Sequence, residues 1–325
     1  MFKKVLAVIL AAVLLCGVFA GCGSKKDDGK YKIGVVQLLP HDALDAATKG
    51  FQDALKEKLG ADKVEFDVQY GGGEKTNCTN IVSNFISDKV DLIMANATDA
   101  LAAAAEGTDT IPIVATSITD YATALGMKDW TGTTGFNVTG TSDLTPSKKQ
   151  AAIIKELVPD AQVVGILYCS NESNSKYQAD EMKKELIALG FDEKNVKFYT
   201  FTDTNDINAV AQTAVDESDV IYIPTDNTAA NNTKAINNLA EPAGVPIIAG
   251  EEGICKGCGV ATLSISYYDL GYKTGEMAYE ILVNGADPAN MKIQTADATT
   301  KRYVASRATA LGIKIPEDYE AMDET

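Results

Sequence analysis

The chain has 325 residues, 46% of them hydrophobic, a mean hydropathy of -0.05 and a formal net charge of -16. The length favours two domains of ordinary size. The acidic balance repels polyanions and so argues against nucleic acid and anionic lipid as partners.

At the N-terminus, Met1 to Lys4 supply a positive start and Val5 to Ala20 form an apolar run. That run is shorter than the roughly 20 residues a spanning helix needs. Small residues then lead into Cys22. The pattern predicts a lipoprotein signal peptide over 1–21, cleaved so that Cys22 is lipidated, with a plain secretory leader as the alternative. Residues 22–30, including "GSKKDDGK", read as a polar tether. The expected location is therefore extracytoplasmic, at the cell membrane through the Cys22 lipid.

From Tyr31 strands and helices alternate. "YKIGVVQLL" (31–39) reads as a buried strand, and 42–60 has apolar residues at helical spacing and ends on Gly60. Strands follow at 63–70, 90–98 and 111–116, with helices at 76–89 and 99–107. The pattern restarts with a helix at 146–159. Strands at 161–170, 195–201, 219–226 and 245–250 then alternate with helices at 175–190, 206–217 and 228–244. "KIGVVQ" echoes "VVGILY", and "IPIVAT" echoes "VPIIAG", as expected of an internal duplication. Near-continuous apolar strands between helices predict parallel sheets covered on both faces.

The fold class expected is α/β, with two doubly wound parallel-sheet lobes joined by three crossovers. The crossovers are placed near 140–146, 250–256 and 285–296. Lobe one is assigned 31–143 plus 256–287, so that the strand at 259–265 and its helix at 267–285 return to it. Lobe two is assigned 144–255 plus 288–325.

Ligands of such sheets bind at the C-terminal edge of the strands, near helix N-termini. Lobe one offers Gln37, His41, Asn96, Thr98, Thr116 and Ser117 there. The first crossover offers Asp143. Lobe two offers Ser170 to Ser175, Asp226, Asn227, Glu251 and Glu252. Helix caps explain many of these one at a time; the set as a whole points to a ligand edge. Free N–H groups and hydroxyls suit a carboxylate, and Asp143, Asp226, Glu251 and Glu252 suit an ammonium, so the chemistry fits a free amino acid. Catalysis has little support: His41 is the one histidine, and neither G-x-S-x-G nor a phosphate-binding glycine loop is present. Cys255 and Cys258 form a C-x-x-C with no second pair at metal spacing, which reads as a turn cysteine pair of undecided redox state. Neither a cofactor nor a metal is expected.

"KYKIGVVQLLPHDALDAATKGFQDAL", "DLIMANATDALAAAA", "IPIVATSITD", "NVTGTSDLTP", "GILYCSNESNS", "YIPTDNTAANN" and "ATLSISYYDLGYKTGEMAYEIL" resemble the ABC transporter substrate-binding proteins, in the branch associated with tryptophan, tyrosine or phenylalanine uptake. The resemblance covers about residues 31 to 317. It implies a type I periplasmic-binding-protein fold and a monomeric receptor that hands an aromatic amino acid to an ABC permease with its ATPase subunit. It also implies Glu172, Asn174, Ser175, Asp226 and Asn227 as the lobe-two wall, with Thr98, Thr116 and Ser117 opposite and Asp143 on the ammonium. A sugar or nucleoside receptor, and a ligand-sensing module of the same fold, remain open as alternatives.

Overall fold

The computed structural model describes residues 29–323; the leader and Cys22 lie outside the described residues. The first half runs β1 (Tyr31–Gln37), α1 (Asp42–Leu59), β2 (Val64–Tyr70), α2 (Lys75–Ser87), β3 (Leu92–Asn96), α3 (Thr98–Gly107), β4 (Ile113–Ile118), α4 (Tyr121–Ala124) and β5 (Val138–Ser142). The second runs α5 (Ser147–Leu157), β6 (Val164–Cys169), α6 (Ser173–Ala188), β7 (Val196–Phe201), α7 (Ile207–Glu217), β8 (Val220–Ile223), α8 (Asn227–Ala230), α9 (Thr233–Ala243), β9 (Ile247–Ala249), α10 (Glu252–Cys258) and β10 (Ala261–Ser264). The tail adds α11 (Tyr267–Asn284), β11 (Gln294–Thr295), β12 (Thr300–Val304), α12 (Ala305–Ala310) and β13 (Glu320–Met322).

The strands form two sheets, ordered β11-β5-β4-β3-β1-β2 and β13-β12-β10-β9-β8-β6-β7. Among the described residues, the first is parallel throughout and in the second only the β10–β12 pairing is antiparallel. β1, β3, β4, β6 and β8 are buried along almost their whole length because helices cover both faces. One core cluster of the first sheet holds Val36, Phe85, Ile93 and Leu101, and another holds Ile33, Phe51, Leu55 and Met94. The second sheet likewise carries one cluster around Ile166, Met182 and Tyr222 and one around Leu167, Phe201 and Ile221. Among the described residues, no helix is long and apolar enough to cross a membrane.

The crossovers correct the sequence reading. The first lies at 142–147, beside the 140–146 read from the sequence. The strand expected on lobe one, 259–265, instead pairs with β9 (Ala261↔Ile248) and with β12 (Ala261↔Tyr303), inside lobe two. Only its helix returns: α11 packs on α1 of lobe one. The second crossover is therefore 264–267. β11 still pairs with β5 (Gln294↔Thr141), which moves the third to 295–300. Helix packing separates α11 from its own strand. A Cβ on Gly50 would collide with the Tyr268 carbonyl oxygen, and one on Gly271 with the Ala47 carbonyl oxygen. The two backbones thus meet where neither has a side chain. β5 has no counterpart among the predicted strands, since Thr139, Gly140 and Thr141 mask its burial in the sequence. Cys255 and Cys258, expected in a turn, lie buried and unbonded in α10.

Candidate functional site

The C-terminal edges of the two sheets face each other. On lobe one, Gln37 is buried and ties β1 to α1: its Nε2 donates to Asp45 Oδ1 (2.6 Å), and its Oε1 accepts from Thr48 (2.7 Å). Thr116 accepts from Thr141 (3.1 Å), which bonds in turn to Thr274 on α11 (2.8 Å). The register of β4 against β5 shifts between Ala115 and Ile118. In that bulge Ser117 takes a positive φ of 57°, and Ala97, just before Thr98, takes one of 90°. Such conformations cost of order 1–3 kcal/mol each and gather at functional sites. Among the described residues, Ser117 Oγ and Asn96 Oδ1 are buried and find no hydrogen-bond partner.

At the first crossover, Asp143 is buried and accepts from Tyr267 Oη (2.8 Å), while its Oδ1 makes no hydrogen bond of good geometry. Burial raises its pKa, with the hydrogen bond from Tyr267 acting against that rise. Glu251 stands close enough to feel that charge. It caps α10, accepting from the N–H groups of Ile254 and Gly253 (the latter 2.6 Å), and burial pushes it up to about 7.

The lobe-two wall is a dense polar scaffold. Glu172 accepts from the backbone N–H groups of Asn227 (2.9 Å) and Thr228 (2.8 Å), from Asn227 Nδ2 (2.8 Å) and from Thr228 Oγ1 (2.7 Å). Asp226 accepts from the N–H groups of Cys169 (2.6 Å) and Ala229 (2.7 Å). Burial, with the Glu172 carboxylate beside it, raises Asp226 well above its usual range. Asn174 donates to the Thr225 carbonyl (2.9 Å), and Ser175 is fully buried next to it. Among the described residues, two side-chain bonds join this wall to lobe one: His41 Nε2 to Asn227 Oδ1 (3.2 Å) and Gln178 Nε2 to Thr119 Oγ1 (3.0 Å).

Beside the second and third crossovers lies a cavity of about 500 Å³, within the range of small-molecule sites. Lobe one contributes Asp42, Ala43, Ala46, Leu270 and Lys273, and lobe two contributes Glu251, Glu252, Lys256 and Arg302. The crossovers contribute Ile265, Tyr267 and Ala298. Its walls thus combine an apolar face with charges of both signs. Glu252 binds Arg302 (3.1 Å), Lys256 (3.0 Å) and the Ser264 hydroxyl (2.7 Å). Burial works against its charge, but these partners outweigh it and lower its pKa. Of the eleven expected ligand contacts, Glu251 lines this cavity; the other ten belong to the strand edges, the first crossover and the scaffold just described. Asp42, Tyr267 and Arg302 also line the cavity and are absent from the expected set. Asp42 is readable as the start of the first helix, whereas Arg302 comes from a tail strand whose position only the folded chain reveals.

A family model described as ABC transporter substrate binding protein matches residues 32–323. The tyrosine-binding protein of Clostridioides difficile (strain R20291) is 34% identical over 313 residues, covering 91% of this chain and 89% of that protein. Among solved structures, the ABC domain from Streptococcus pneumoniae in complex with L-Trp is 31% identical, with a TM-score of 0.84 over 89% of this chain and 96% of that one. The ligand-free, open structure of a substrate binding protein with adhesive properties from Clostridium difficile is 34% identical. Its TM-score is lower, 0.69, over 91% of this chain and all of that one. The fold therefore superposes better on the ligand-bound relative than on the open one, although the open one is nearer in sequence.

Proposed function

The chain belongs to the ABC transporter substrate-binding protein family, and from that membership we propose that it is a receptor for a free aromatic amino acid. It captures tryptophan, tyrosine or phenylalanine between its lobes and delivers it, as a monomer, to an ABC permease driven by an ATPase subunit. The observation that carries this reading is the interlobe cavity. Ala43, Ala46, Ile265 and Leu270 offer a ring-sized apolar wall. Lys256 and Arg302, paired with Glu252, and Lys273, paired with Asp297, are the cations a ligand carboxylate would share with those partners, and Asp42 and Glu251 offer acceptors for an ammonium. The tyrosine-binding and L-Trp-bound relatives support the ligand class.

In this reading the strand-edge residues align the lobes and set their closed spacing, and no group carries out catalysis. Ligand binding shifts the lobes towards the closed form by its differential affinity for that form. Anchoring through a lipid on Cys22 belongs to the same proposal and rests on the residue pattern of the N-terminus.

Calorimetric titration with L-tyrosine, tyramine and 3-(4-hydroxyphenyl)propanoate tests the grip on both charged ends. L-tyrosine is expected to bind, and loss of either end is expected to weaken binding at least tenfold. Equal affinity for all three contradicts a zwitterion site.

A further inference from the structure

His41, read from the sequence as one of the polar groups at the ligand edge, does not line the cavity, yet it makes one of the two side-chain bonds described above between the lobes. Its partner cannot turn freely. Asn227 donates both its backbone N–H and its Nδ2 to the same Glu172 oxygen (2.9 and 2.8 Å). Flipping the amide would set its carbonyl against the carboxylate, so Oδ1 must face lobe one as an acceptor. His41 Nε2 is then the donor, and Nδ1 is the bare nitrogen, buried without a partner. The charged groups that reach the ring are Asp42 and Asp45 on its own helix and Glu172 from lobe two. All three favour the imidazolium, as does the hydrogen bond to Asn227, but burial outweighs them and lowers the pKa of the ring.

Gln178 repeats the arrangement with the opposite polarity. Its Oε1 accepts from the N–H and hydroxyl of Thr225 (both 3.2 Å), which leaves Nε2 to donate to Thr119 Oγ1 at 3.0 Å. Lobe two thus holds out one fixed acceptor and one fixed donor, and lobe one meets each.

We propose that His41 and Asn227, with Gln178 and Thr119, form a two-point latch that holds the lobes closed, and that His41 is a positioning residue for ligand retention. The proposal rests on the reading of the protein as a receptor that closes on its ligand. A latch made only after closure acts on the dissociation rate and leaves the association rate alone.

The first test is stopped-flow release of L-tyrosine and L-tryptophan from residues 31–325. His41→Phe keeps a ring but removes the donor; it is expected to speed release about fivefold, with the association rate and ligand-free Tm unchanged. His41→Gln restores a donor and is expected to recover most of the loss. Gln178→Met breaks the other point and is expected to speed release independently, which covers a failure of His41→Phe to fold. Unchanged release in these variants, or an equal loss in His41→Gln, overturns the latch.

The second test needs no ligand. A Cβ on Gly253 of lobe two would stand 3.6 Å from the Asp42 Cβ of lobe one, within disulfide span. In an Asp42→Cys/Gly253→Cys background, the rate of disulfide formation reports how often the lobes close. Adding His41→Phe is expected to slow it about fivefold, and equal rates overturn the latch. Should no aromatic amino acid bind the wild-type protein, the receptor reading fails, and this second test decides the latch by itself.

Discussion

Glu172 separates two roles that look alike in sequence, ligand contact and scaffold. Its carboxylate accepts four bonds of 2.7–2.9 Å from Asn227 and Thr228. Glu172→Ala therefore leaves two backbone N–H groups at the start of α8, and two side-chain donors, without their acceptor. Hydrogen bonds to a charged group contribute about 1.5–3 kcal/mol each, and a stranded buried donor costs about 1–3 kcal/mol. Water can reach some of these donors, and losses within one network do not add. Removing the carboxylate also relieves Asp226, whose charge Glu172 opposes. The net loss expected is about 3 kcal/mol. At about 2–4 °C per kcal/mol, the ligand-free Tm should fall by about 6–12 °C. Scanning calorimetry of residues 31–325, run beside a binding titration, measures both quantities. A Tm within about 2 °C of wild type together with abolished binding would refute the scaffold assignment and make Glu172 a direct ligand contact.

Two further predictions concern pH and packing. Burial raises Glu251 to about 7, and raises Asp226 and Asp143 as well. From about pH 4.5 upward the folded protein therefore retains protons that the unfolded chain has lost, and stability falls as pH rises. His41, with its pKa lowered by burial, works the other way only below about pH 6.5. The Tm should thus decline between pH 6.5 and 8, and Glu251→Gln should flatten that decline; a Tm that rises over the window contradicts the burial of these acids. Gly271→Ala would push α11 off α1 through the Ala47 carbonyl. It should cost at least about 1–3 kcal/mol of overpacking, read as a lower denaturant midpoint with an unchanged m-value.

Much of the architecture was legible in the sequence because the βα repeat is strong. Val35, Ile93, Val114, Ile166 and Ile221 belong to apolar strands bounded by helices at 3.6-residue spacing, and all five are buried. The C-terminal crossings were not legible. Strand Ala261–Ser264 and helix Tyr267–Asn284 read as one βα unit, and sequence periodicity does not say which sheet a strand joins. The glycine contact between α1 and α11, and the antiparallel partner β12, send the two elements to different lobes. The strand edges were correctly picked out as polar, but composition alone cannot tell an acceptor already bonded to a helix N-terminus, such as Asp226, from one turned towards a ligand. Arg302 escaped notice because it reaches the cavity from a strand of the tail, far in sequence from Glu251 and Asp42.

Thermal unfolding of residues 31–325 against the twenty amino acids, a sugar panel and nucleosides tests the central claim most directly. A ligand at 100 times its Kd adds about 2.7 kcal/mol, which corresponds to a rise of about 5–10 °C. The account predicts that rise for tryptophan, tyrosine or phenylalanine and none for sugars or nucleosides. Stabilisation by a sugar or nucleoside, with all three aromatic amino acids inert, would contradict it.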